Sequence, residues 1–261
     1  MPGILPFLTI NDFACFTLVL ARIAGLFAAI PLFGGHRTPQ MVKAAAILAM
    51  TLVLFPIVRA NIPQMPTDTI SLAILVIREI LVGFSLSLLS QAIFSAVEFC
   101  GQLVSMQMGL SMASMLDPDA GQQTPVLATL QGLLAMLLFM TLGVHHLFIR
   151  AIIESYDLIP VGAWHMSGGL IHFIITAISG LFILAVKLAA PVMVSILAAD
   201  VVLGIMARSF PRMNIFMISF PLKIGLGFLV LGFSIMVFSQ TLSDAFGVLS
   251  PQIRTLLKLM G

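Results

Sequence analysis

Long apolar stretches alternate with short polar breaks along this chain, at about residues 13–33, 42–58, 70–97, 125–153, 171–203 and 215–246. Each reaches at least about 17 residues, the shortest length at which a helix crosses a bilayer core. None shows the period-2 alternation of a half-buried strand. Unpaired backbone groups are costly in hydrocarbon, so these runs are expected to be helices. Pro56 lies near the end of the second run, Pro191 lies deep in the fifth, and Pro211 and Pro221 bracket the start of the sixth. Proline removes a donor and kinks a helix, so bent or broken helices are expected. The pattern predicts an all-α integral membrane protein with about six long, kinked hydrophobic helices.

Composition strengthens that reading. Of 261 residues, 60% are hydrophobic and 8% charged, against about 25% charged in an ordinary soluble domain. Mean hydropathy is +1.16. The breaks are too short to fold as an aqueous domain, which excludes a soluble enzyme fused to an anchor. A net charge of +2, with the Lys and Arg scattered, gives no basic patch for nucleic acid. Cys15 and Cys100 lie in apolar surroundings without a CxxC companion and read as buried free thiols. If six spans alternate from an outside N-terminus, Arg37, Lys43, Arg208, Arg212 and Lys223 fall inside, against Arg59, Arg150, Arg254 and Lys258 outside. That balance does not decide a topology.

Motifs for chemistry are missing: there is no HExxH, no GxxxxGK[ST] and no GxGxxG opening a helix. His145 and His146 are adjacent, and neighbouring helix positions do not share a face, so no metal site is expected. No catalytic residue and no cofactor are expected either. Arg22, Arg78, Glu79, Glu98, Lys187 and Asp200 lie in or beside apolar runs. Charges in such places are expensive and face a partner or a water-filled cavity. Their dispersal favours ion pairs, within the chain or with a neighbouring subunit, over a proton relay. Glu79, Arg208 and Lys223 are the candidates for contacts across subunits.

Residues 101–118, between the third and fourth runs, are too polar for a lipid-facing span and too apolar for a solvent loop. Met106, Gln107, Met108, Gly109, Leu110, Ser111, Met112, Met115, Asp117 and Pro118 all fall here. If helical, Met108, Met112 and Met115 share one face. Flexible methionines fill irregular gaps, so the segment is either a compliant seal around a pore or a re-entrant helix packed in a core. Gly101, Gly109 and Gly121 are expected to give it backbone freedom.

The ordered motifs resemble one family. Arg22 followed by Pro31-Leu32-Phe33-Gly34, then Pro39 and Lys43, opens the set. Arg78-Glu79-Ile80-Leu81-Val82-Gly83, Gln107-Met108-Gly109-Leu110-Ser111 with Asp117-Pro118, and Ser155-Tyr156-Asp157-Leu158-Ile159-Pro160 follow. Residues 203–216 with Phe220-Pro221-Leu222-Lys223 complete it. The set resembles the FliR/SctT family of type III secretion export-gate proteins over nearly the whole chain. Arg212 departs from it, standing where glutamine is more usual.

The resemblance implies a component of the flagellar export gate, in the bacterial inner membrane at the flagellar basal body. The gate is the closed channel through which unfolded flagellar proteins pass. Implied partners are FliP-like and FliQ-like subunits, with one copy of this chain in the hetero-oligomer, together with FlhB- and FlhA-like proteins. The resemblance divides the chain into a FliP-like part, about 1–185, and a FliQ-like helical hairpin, about 186–261. It makes the Met-rich segment a channel plug, with Arg22, Glu79, Asp200, Arg208 and Lys223 as interface or buried charges. The injectisome counterpart is a close alternative. A small secondary transporter with broken helices and midplane charges is the alternative from another class.

Overall fold

The computed structural model describes residues 10–30, 38–59, 68–110, 126–165, 167–210 and 214–261. Among these the regular structure is all α-helix: α1 (Ile10–Ala29), α2 (Gln40–Val58), α3 (Thr69–Gln107), α4 (Val126–Thr141), α5 (Val144–Leu158), α6 (Gly168–Ser209), α7 (Ile215–Gly247) and α8 (Leu249–Met260). Five helices are long and apolar enough to cross a membrane, and α4 with α5 makes a sixth if the bent pair is one span. The six apolar runs are thus found as helices.

Their ends differ from the expected ones in instructive ways. One break falls at a glycine: Gly143 lies between α4 and α5, and its φ of 66° is a left-handed conformation that favours glycine. Pro191 and Pro221 lie inside continuous helices. α3 runs ten residues beyond the end of the third apolar run. α8 is an additional short amphipathic helix whose buried side is Leu249, Ile253, Leu256, Leu257 and Met260. Helices α3 and α6, at 39 and 42 residues, are about 60 Å long. That is about twice a bilayer core, so neither fits upright within one.

The chain forms two compact units that interleave along the sequence. One comprises residues 1–92, 143–177 and 248–261, the other 93–142 and 178–247. In the first, α1 packs on α2, and α5 on α8. Phe16 meets Phe55 edge-on at 5.7 Å, and Asp12 pairs with Arg59 at 2.6 Å. α1 also crosses α3 closely. A Cβ on Gly83 would collide with the Arg22 carbonyl, and one on Gly25 with the Ile80 carbonyl. Small residues are what let two helix backbones approach in an apolar setting.

In the second unit α4 packs on α7. Phe94, Phe139 and Phe246 form a three-ring cluster with centroids 5.6–5.9 Å apart. Gly101, expected to loosen a loop, instead lies inside α3. A Cβ there would collide with the Ala128 backbone, so its role is close packing against α4.

Candidate functional site

Within the first unit, motifs far apart in sequence converge on one buried ionic hub. Arg22 on α1 and Glu79 on α3 are both fully buried, with Arg22 Nε donating to Glu79 Oε2 at 2.6 Å. Each sits one turn from the glycine of the α1–α3 crossing, since Arg22 precedes Gly25 by three residues and Glu79 precedes Gly83 by four. The close backbone approach brings the two side chains into bonding range. Arg22 Nη1 donates to Ser155 Oγ at 3.0 Å, and Nη2 to the Ile159 carbonyl at 3.1 Å. The Arg22 guanidinium lies 4.0 Å from the centroid of the Tyr156 ring, within cation–π range. The second Glu79 oxygen accepts the Gly162 N–H at 3.1 Å, while Arg78 Nη1 donates to the Gly162 carbonyl at 3.0 Å.

Two charges are therefore buried as a matched pair with further donors and acceptors, the condition under which such burial is tolerated. Chemically the hub is closed. It binds four chain segments to one another and presents no free proton-exchanging group. The Tyr156 hydroxyl is buried without a hydrogen-bond partner, so its ring does the packing.

The C-terminus holds the hub's loop from outside. Ser167 Oγ donates to the Leu259 carbonyl at 2.9 Å, and His165 N–H to the Met260 carbonyl at 3.5 Å. Gly261 approaches the Leu158 carbonyl and Ile159 so closely that it has no room for a Cβ. Arg254 lies 4.0 Å from Glu154 across the α5–α8 contact.

In the second unit, Lys223 Nζ pairs with Asp200 Oδ1 at 2.6 Å, joining α6 to α7. Glu79 and Lys223, expected to contact other subunits, are thus engaged inside the chain. Geometry explains the difference: helix crossings bring each within reach of an internal opposite charge. Arg208 is exposed, as are Glu98 and Lys187. His145 and His146 stack with ring centroids 4.0 Å apart. Among the described residues no group of three or more His, Cys, Asp or Glu could hold a metal.

The Met-rich segment begins at the end of α3. Gly109 has φ 78°. Its N–H donates to the Met106 carbonyl at 3.1 Å, and the Leu110 N–H to the Ser105 carbonyl at 3.0 Å. This pair of bonds around a left-handed glycine is a Schellman stop. Gly109 therefore ends a helix and turns the chain away. Met108 is fully buried and packs at Gly227, and the Phe220 ring lies against Gly109. Met106 is 67% exposed, Gln107 is exposed and Leu110 half-buried. Ser111, Met112, Met115, Asp117 and Pro118 lie outside the described residues, as does Gly121.

Ser155, Ile159 and Gly162 were not singled out as partners of Arg22 and Glu79 by sequence reasoning. The available signal was Ser155-Tyr156 and Ile159-Pro160 within one quoted motif, but nothing in spacing ties that motif to α1 and α3.

Known proteins similar to this chain share its length. The model of a family described as Bacterial export proteins, family 1, matches residues 13–249, so the match ends where α8 begins. The chain is 31% identical over 255 residues to the flagellar biosynthetic protein FliR of Bacillus subtilis, covering 97% of this chain and 98% of that protein. It is 30% identical over 208 residues to the FliR of Escherichia coli, covering 80% and 79%. The Yop proteins translocation protein T of Yersinia pestis is 27% identical over 223 residues, covering 83% and 84%.

Proposed function

Because the chain belongs to the bacterial export proteins of family 1, we propose that it is a flagellar biosynthetic protein of the type III export gate. It helps to form the closed channel through which unfolded flagellar proteins cross the inner membrane. The observation that carries this reading is the nearly end-to-end similarity to a flagellar FliR. Its partners are FliP-like and FliQ-like subunits, with FlhB- and FlhA-like proteins nearby, at the base of the flagellum. Residues 1–185 play the FliP-like part and 186–261 the FliQ-like hairpin. The more distant similarity to a Yop translocation protein keeps the injectisome counterpart as a related reading.

The outer surface of α6 and α7 supports a life inside an assembly. Their most apolar windows are only 28% and 11% buried, against 61% for α1. Val194, Leu197, Val201 and Ile205 on α6, and Phe233 and Met236 on α7, are exposed. Such surface is covered either by lipid or by other subunits, and helices of 42 and 33 residues, longer than a bilayer core is thick, leave lipid able to cover only part.

The seal of the channel is assigned to Met106, Gln107, Met108, Gly109, Leu110, Ser111, Met112, Met115, Asp117 and Pro118. Support comes from the start of that segment: a buried Met108 anchor, then a glycine that stops α3. Methionine's flexible thioether closes an irregular gap without fixed packing. The work is mechanical, and it calls for no catalytic residue or cofactor.

The test is the native mass of the detergent-extracted complex after co-expression with FliP- and FliQ-like partners. The expected result is a discrete hetero-oligomer containing one copy of this chain. Recovery as a monomer or homodimer, with both partners well expressed, contradicts the proposal and favours a transporter.

A further inference from the structure

The second unit contains a cavity of about 240 Å³ walled by α4, α6 and α7, lined among others by Leu127, Gln131, Leu188, Phe228 and Phe238. This exceeds the ~150 Å³ apolar cavity that accepts a benzene ring. Gly232 is on its wall, and a Cβ there would meet nothing within 4 Å. Leu130, Phe228 and Ile235 line the cavity and are also about half exposed, so the cavity opens onto an apolar outer surface.

The polar lining is one-sided. Gln131 is 4% exposed, and its Oε1 has no hydrogen-bond partner. Ser234 spends its hydroxyl proton on the Leu231 carbonyl at 3.2 Å, leaving its oxygen able only to accept. Among the described residues no charged side chain lines the cavity. A buried acceptor without a donor is costly, and an ion would find no countercharge there.

We propose that this cavity is a binding site for a neutral amphiphile with an apolar body and a single hydroxyl donor, of about the size of octanol. Its chain fills the space between α4 and α7, and its O–H donates to Gln131 Oε1. The inference rests on the second unit alone and is independent of the export-gate reading.

The test uses the full chain in native membrane vesicles with a diazirine-bearing octanol as a photoaffinity probe. The methyl ether of that probe serves as a control that cannot donate. Labelled peptides are located by mass spectrometry. The alcohol is expected to label residues 127–134 and 228–238 preferentially, and the ether about fivefold less, as one lost hydrogen bond implies. Gln131→Leu should equalise the two probes. Gly232→Leu, which fills the space, should abolish labelling at those residues without lowering the melting temperature. Equal labelling by alcohol and ether in the unmodified protein would overturn the proposal, with no dependence on how the variants fold. Labelling spread over the apolar outside of α6 and α7 would do the same.

Discussion

Arg22 and Glu79 in the first unit are completely buried, whereas Lys223 and Asp200 in the second keep 23% and 43% of their side chains exposed. The contact distance is 2.6 Å in both. What surrounds them differs. The first pair is embedded in hydrogen bonds to Ser155, Ile159 and Gly162 and covered by Tyr156. The second joins two helices whose outer faces are largely uncovered in the isolated chain. Distance alone therefore says little about an ion pair. The solvation that each charge has given up, and the bonds that replace it, decide its weight.

The largest effect is expected from unpairing the buried charge. Glu79→Gln or Arg22→Met leaves one desolvated ion, at an expected cost of about 3–5 kcal/mol. The variants should show a large loss of thermal stability in detergent-solubilised protein. Combining Arg22→Met with Glu79→Met should recover much of that loss, because no uncompensated charge is left. Equal damage from the single and double variants would contradict the description of the hub as an ion pair.

A smaller effect is expected where the hub depends on the backbone. Gly83→Ala drives a Cβ into the Arg22 carbonyl and should cost about 1–3 kcal/mol, the range for overpacking. Melting temperature measures it, with Gly132→Ala, which has open space, as the neutral reference. Below this comes Asp200→Asn. Both partners are partly solvated, so the expected loss is under about 1 kcal/mol. A loss as large as that of Glu79→Gln would erase the distinction between the two pairs. Smallest of all is Tyr156→Phe, which removes a buried hydroxyl that has no partner while keeping the ring over Arg22. No stability should be lost, because a buried hydroxyl without a partner is itself a cost.

The all-α class and the apolar runs were legible because hydropathy reports lengths of buried or lipid-facing helix directly. Helix ends were less so. Gly101, Gln102, Ser105 and Gln107 lower hydropathy and suggest that α3 has ended, yet packing of Gly101 on Ala128 keeps the chain helical as far as the Gly109 stop. Pro191 suggests a break, but one missing donor does not outweigh the bonds of a 42-residue helix. Helix α8 was overlooked because Arg254 and Lys258 on its outer side hide the apolar side from a hydropathy average. Its helical spacing of Leu249, Ile253, Leu256 and Met260 was readable.

The site divides in the same way. That Arg22 and Glu79 needed partners followed from the cost of burying a charge. Which partners they found did not, because Arg22 lies 133 residues from Ser155 and 57 from Glu79. No local pattern records where a helix crossing will place them. The motifs that resemble the FliR/SctT family were the indirect signal, since three of them meet at this hub.

The proposed seal begins at the segment around Gly109. Replacing residues 107–115 by a Gly/Ser linker, in cells that carry the complete export apparatus, allows the ion and dye permeability of the membrane to be measured. A compliant methionine seal requires a marked rise in leak, with the variant still present in the complex. Unchanged permeability in a fully assembled complex would contradict the plug.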